Sequence, residues 1–149
     1  MLAKKILVVD DDDAVRESFL AYLEDSGHSV VAAKDGDECL ACLEKESFDF
    51  ITLDLHMPKK DGFEALAYIR DRYPDTPVVV VSGAGEIHDC IAALRLGAWD
   101  YIVKPVEDMG LLEHLIAKTA ETVRLRNENK EYQKNLEILV EQRTEKLNI

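Results

Sequence analysis

The sequence has no apolar run long enough to cross a membrane. It also lacks the basic, then apolar, then small-residue pattern of an export signal at its amino end. Both absences lead to the expectation of a soluble, cytoplasmic protein with no membrane partner. Cysteine is scarce: Cys39, Cys42 and Cys90 form an odd set, so a disulfide framework is not expected. Cys39-Leu40-Ala41-Cys42 has CxxC spacing, but no second pair or histidine ligand set follows, and both cysteines read as small buried helix residues. Positive charge is short as well. The 149 residues carry 18 Lys and Arg against 30 Asp and Glu, a net charge of −12. Up to Glu121 the balance is 12 against 25, and from Thr122 onward it is 6 against 5. An acidic body with a near-neutral tail is a poor direct binder of nucleic-acid phosphates and suits a metal cation.

Against that background one stretch stands out, Phe48-Asp49-Phe50-Ile51-Thr52-Leu53-Asp54-Leu55-His56-Met57-Pro58. It is too apolar for a surface loop and too short for a globular helix, so it predicts a buried strand. Pro58 cannot donate to a sheet ladder and biases Met57 away from helical dihedrals, which ends the strand just after Asp54.

The same unit recurs along the chain. Lys4–Val9, His28–Ala33, Pro77–Val81 and Asp100–Val103 read as further strands, each followed by a helical pattern with turn residues between. Gly27 and Gly97 close two helices, and Pro74 ends a third. Strands alternating with helices at this spacing predict an α/β fold: a five-stranded parallel sheet with helices on both faces, flavodoxin-like and doubly wound, covering residues 1–121. A last helix from about Glu107 runs past the domain into a connector over residues 122–149. There a heptad places Thr122, Asn129, Leu136 and Arg143 at one core position and Leu125, Tyr132, Leu139 and Lys146 at the other. Half of these are apolar, which gives a coiled-coil signal and an expected homodimer through residues 122–147.

In a parallel sheet the carboxyl ends of the strands share one edge. Asp10 and Asp11, Asp54, Ser82 and Lys104 fall at four such ends and should converge in one crevice. Clustered carboxylates repel unless a cation offsets them, and hard oxygen ligands suit Mg²⁺, with Mn²⁺ able to substitute. Asp11 and Asp54 are expected to ligate the metal, Asp10 directly or through water, and the His56 carbonyl as a neutral ligand. Asp54 is then the nucleophile that forms an acyl phosphate. Lys104 would pair with it at rest and with a phosphoryl oxygen afterwards. Ser82 and the Gly83 N–H would hold another phosphoryl oxygen.

These residues make the chain resemble the receiver domain of two-component response regulators. The match rests on Asp10-Asp11 after Ile6-Leu7-Val8-Val9, Asp54-Leu55-His56-Met57-Pro58, Asp61-Gly62, Ser82-Gly83, and Tyr101 three residues before Lys104-Pro105. The separations of 43, 28 and 22 residues between Asp11, Asp54, Ser82 and Lys104 agree too. The resemblance spans residues from about 3 to 121. It implies phosphotransfer from a histidine kinase or phosphotransfer protein to Asp54 with Mg²⁺, and a switch carried by Ser82 and Tyr101 that changes the surface of the fourth helix, fifth strand and fifth helix. It also implies structural roles for Pro58, Gly62 and Pro105, with a cis bond at Lys104-Pro105, and no activity beyond self-phosphorylation and autodephosphorylation. Many members have Thr where Ser82 stands, and the hydroxyl is retained.

Two other readings compete. Asp11-Asp12-Asp13-Ala14-Val15 fits the DxDxV pattern of haloacid-dehalogenase-type phosphatases, but that assignment leaves Asp54 and Lys104-Pro105 only partly explained. A phosphorylation-independent scaffold would keep the fold without the acids, and here all of them are present. His28, His88 and His114 are expected at the surface or at an edge, and Trp99 is expected to pack the loop before the last strand. No output module is visible after Glu121. The tail resembles the segments that connect receivers to output domains, so an output domain or partner protein is expected.

Overall fold

The computed structural model describes residues 3–57 and 61–147. Pro58, expected to be structural, lies outside the described residues. Strands β1 (Lys5–Val9), β2 (Ser29–Ala33), β3 (Phe50–Asp54), β4 (Val78–Gly83) and β5 (Asp100–Lys104) alternate with helices α1 (Asp13–Asp25), α2 (Gly36–Lys45), α3 (Gly62–Arg72), α4 (Ile87–Arg95) and α5 (Gly110–Leu147). Every strand pairing is parallel, in the order β2-β1-β3-β4-β5. Strand order reverses direction between β1 and β3, and at such a switch point the loops beyond the strand ends part to leave a crevice.

The near-continuous apolar runs of β1, β3 and β4 follow from burial on both sheet faces. On one face Leu7, Val9, Ile51, Leu53, Leu55, Val78 and Val80 pack against Cys39 and Leu43 of α2, Ala65, Leu66 and Ile69 of α3, and Ala93 of α4. On the other, Ile6, Val8, Phe50, Val79, Val81 and Ile102 meet Phe19 and Leu23 of α1 and Leu112, Leu115 and Ile116 of α5. Cys39 and Cys90 are buried and Cys42 is half-buried, all as free thiols. Burial pushes the Cys39 thiol up to about 12, so it stays protonated and acts as a small apolar side chain.

Local chemistry sets the element ends. Asp12, Asp35 and Asp61 cap α1, α2 and α3, each accepting from amide N–H groups in the first turn of its own helix. Gly27 and Gly97 follow α1 and α4 with φ of 95° and 114°, in the left-handed region open to glycine.

Three sequence expectations change. β4 continues through Ser82 and Gly83 because these pair with Val103 and Lys104 of β5, where the sequence suggested a loop. α5 starts at Gly110 rather than near Glu107, because the Asp108 carboxylate accepts from the Gly110 N–H and sets the first turn. His28 is buried, not superficial: its Nδ1 accepts from the Lys4 N–H at 3.0 Å, and its Nε2 lies 3.0 Å from Glu113 Oε1. His88 and His114 are exposed. Trp99 is half-buried, with the Arg126 guanidinium 4.3 Å above its ring.

Candidate functional site

Alternation along the strands decides which way each site residue faces. Asp54 shares its parity with Phe50 on β3, Asp10 follows Val8 by two residues, and Lys104 follows Ile102 by two, so all three emerge on the α1/α5 side of the sheet. Ser82 shares parity with Val78 and Val80, on the side covered by α2, α3 and α4.

Asp10 is fixed from three directions. Its N–H donates to Ala33 O, its Oδ1 accepts from the Asp12 N–H, and its carbonyl accepts from Arg16. Lys104 Nζ bridges the buried acids, 3.0 Å from Asp10 Oδ2 and 3.4 Å from Asp54 Oδ2. Oxygens of Asp10, Asp11 and Asp54 lie within 4.8 Å of one another, with Asp11 exposed. The donor set is all carboxylate, which fits a hard divalent cation that keeps part of its water shell. The expected resting pair of Lys104 with Asp54 is therefore shared, and Asp10 is the nearer partner.

The electrostatics agree with a site short of positive charge. Burial, then the Asp10 charge and a hydrogen bond with Asp11, push the Asp54 carboxyl up to about 7, against the opposing pull of Lys104 and the His56 N–H. Burial alone would lower the Lys104 pKa, but hydrogen bonds and charge from Asp10 and Asp54 outweigh it and hold the ammonium above its ordinary value.

Gly62 shows why no side chain fits behind the end of β3. A Cβ there would sit 2.5 Å from the Asp54 carbonyl oxygen and 2.5 Å from Leu55 Cα, while the Gly62 N–H donates to Leu55 O. The Lys104-Pro105 bond is cis. Tyr101 pairs in register with Val80 and is 37% exposed.

A family model described as the response regulator receiver domain matches residues 6–116. The chain belongs to that family. Among curated relatives it is 40% identical over 119 residues to the response regulator protein FleR of Pseudomonas aeruginosa, covering 80% of this chain and 25% of that protein. It is 36% identical to the nitrogen assimilation regulatory protein NtrX of Azorhizobium caulinodans, covering 87% and 29%. The crystal structure of the receiver domain of NtrX from Brucella abortus superposes with a TM-score of 0.75 at 34% identity, over 78% of this chain and 98% of that one. The chain spans from a quarter to about half the length of the first curated relatives it matches. Membership makes it a two-component phosphorelay response regulator receiver, in a family of signalling proteins whose acidic pocket typically holds Mg²⁺. Among the described residues no helix is long and apolar enough to cross a membrane.

The receiver fold accounts for the acids that suggested a phosphatase. Asp12 is the α1 cap, and Asp13 is exposed and paired with Arg16, so of the run after Asp10 only Asp11 joins the cluster.

Sequence reasoning missed Glu86. Its Oε2 accepts from Ser82 Oγ at 2.5 Å and from the Gly83 N–H at 2.8 Å, the two donors expected to hold a phosphoryl oxygen. These hydrogen bonds, that to Ser82 foremost, hold the Glu86 carboxyl below its usual range. His56 Nε2 lies 3.4 Å from the same oxygen and 2.9 Å from Asp89 Oδ2. The one signal was glutamate at a helix start, where Ser, Thr, Asp or Asn is the common cap.

Proposed function

We propose that Asp54 is the phosphoacceptor of this receiver. The carrying observation is the Lys104 ammonium set between buried Asp10 and Asp54, with Asp11 completing an oxygen cluster. An Asp54 oxygen attacks phosphorus in line with the P–N bond of a kinase or phosphotransfer-protein phosphohistidine. That bond breaks, its electron pair leaves with the imidazole, and an acyl phosphate remains on Asp54 until water hydrolyses it to inorganic phosphate. Asp10, Asp11, Asp54 and the His56 carbonyl would hold Mg²⁺, or Mn²⁺ in its place, which would supply the positive charge that lets three acids and a phosphoryl group coexist. Lys104 neutralises one phosphoryl oxygen, while Ser82 and the Gly83 N–H take another.

Phosphorylation adds a charge of about −1.5 to −2 and draws Ser82 toward it, and Tyr101 moves into the space released. The phosphodonor docks on the apolar groove that opens beside Lys104, lined by Val15, Phe19, Pro105, Val106 and Met109. Residues 1–121 form the phosphoacceptor unit. Residues 122–149 connect it to an output domain or partner protein in the cytoplasm, and residues 122–147 pair with a second copy of the chain.

Intact-mass measurement after incubation with acetyl phosphate and Mg²⁺ tests the assignment. A single added phosphoryl group is expected, absent without Mg²⁺ and absent in Asp54→Asn. An adduct that persists in Asp54→Asn, or none on the wild type, overturns it.

A further inference from the structure

The cap positions of the first four helices divide three to one. Asp12, Asp35 and Asp61 turn their carboxylates onto their own helices, whereas Glu86, with φ −118° and ψ 33°, makes no side-chain bond to α4. Its carboxylate reaches back to β4 and lies on Ser82 Oγ and the Gly83 N–H. A single anionic oxygen between a hydroxyl and a main-chain amide, at 2.5 and 2.8 Å, is what a phosphoryl oxygen bound there would also be.

We propose that Glu86 is an internal competitor for the phosphoryl group. It occupies the Ser82 and Gly83 donors in the unphosphorylated protein and is displaced when Asp54 is phosphorylated or binds a phosphoryl analogue. This inference rests on the Asp54 reading above and concerns what limits it.

Three observations bear on the exchange. The Ser82 hydroxyl belongs to a residue 1% exposed, so its hydrogen bond is costly to leave unmade and passes from one anion to the other. A carboxylate and a phosphoryl group cannot share one pair of donors, because like charges at that distance repel strongly. His56 offers a short exit: its Nε2 is 3.4 Å from the Glu86 oxygen on the solvent side, and the displaced carboxylate can keep that contact while leaving β4. The donors are thus available for only a fraction of the time, and apparent phosphoryl affinity falls by that fraction. By linkage, a bound phosphoryl group expels Glu86 to the same degree, which alters the first turn of α4.

The test is the affinity of the Mg²⁺-loaded protein for beryllium trifluoride, a phosphoryl analogue, followed by fluorine NMR in wild type, Glu86→Ala, Glu86→Gln and Asp54→Asn. Losing a charge-assisted competitor should tighten binding roughly tenfold in Glu86→Ala. Glu86→Gln, which keeps the shape and loses the charge, should fall between it and the wild type. Affinity unchanged or weakened in both Glu86 variants overturns the inference while leaving Asp54 as acceptor. Should Glu86→Ala not fold, Glu86→Gln decides alone. Failure of the wild type to bind the analogue, or equal binding by Asp54→Asn, overturns the Asp54 reading instead.

Discussion

Lys104 Nζ stands 3.0 Å from Asp10 Oδ2, closer than to Asp54, so the only ammonium paired with these buried acids among the described residues is committed first to the acid expected to stay unmodified. A fixed cation in that place does two jobs: it lets Asp10 and Asp54 lie side by side, and it competes with any metal for their oxygens.

Lys104→Met separates those jobs. Measured at pH 8.5, so that protons do not compete, Mg²⁺ affinity should rise several-fold because the competing charge is gone. Phosphorylation by acetyl phosphate at saturating Mg²⁺ should fall at least tenfold, since one phosphoryl oxygen loses its partner, a change of about 1.4 kcal/mol or more. Weaker Mg²⁺ binding would mean that the lysine organises the acids rather than opposing the metal. Calorimetric titration and intact mass read the two quantities.

Asp54 makes stability depend on pH in the opposite sense to an ordinary ion-paired acid. Its carboxyl is raised from 3.8 to about 7 in the folded state, chiefly by burial and then by Asp10. Between those values the folded chain binds a proton that the unfolded chain does not, so this contribution is full below about pH 4, shrinks steadily above that, and is gone once pH has risen through 7. Without divalent cations, the stability advantage of Asp54→Asn over the wild type should grow by roughly 2 kcal/mol from pH 5 to pH 8. Parallel pH profiles for the two proteins, by chemical denaturation, would remove the buried-acid account. Added Mg²⁺ should erase much of the difference at pH 8.

The parts of this site legible in the sequence are those that follow from period and position. Asp10, Asp54 and Lys104 end apolar strands, and parallel topology alone brings strand ends together. What stayed hidden depends on where a long side chain turns. Glu86 reads as the first residue of a helix, and its reach back to Ser82 depends on a cap conformation that composition does not encode. His28 reads as an edge residue because its acceptor, Glu113, is 85 positions away on α5. The end of β4 was misplaced for a related reason: Ser82-Gly83 carries turn chemistry, and its pairing with Val103 and Lys104 overrides that local preference.

Thr52 sits two residues before Asp54, and its hydroxyl is buried without a hydrogen-bond partner among the described residues. An unpaired buried hydroxyl costs free energy that a methyl group of similar size does not. Thr52→Val should therefore raise unfolding stability by about 1 kcal/mol and leave phosphoryl acceptance unchanged. A loss of stability on denaturant unfolding would indicate a water bonded to the hydroxyl instead.

Beyond Val123 every described residue of α5 is exposed, through Leu147. Two contacts tie the start of this exposed stretch to the body, Arg126 on Trp99 and Lys130 with Asp75 at 2.9 Å. Past Lys130 no described residue of the helix bonds to the body, and along the exposed stretch Leu125 is 52%, Tyr132 67%, Leu136 47% and Leu139 45% exposed. A solvated helix of that length is marginal without a partner, and the stripe at heptad spacing is the surface through which it would pair. Asn129, Arg143 and Lys146 would fall at core positions of the same heptad and would weaken such pairing, so association should be concentration-dependent rather than permanent. Sedimentation equilibrium should show a monomer–dimer balance, with helicity rising as dimer accumulates. Leu136→Lys should hold the chain monomeric and lower that helicity, while unfolding of the sheet domain is unchanged. A wild type that stays monomeric at millimolar concentration would leave the tail as a solvated connector.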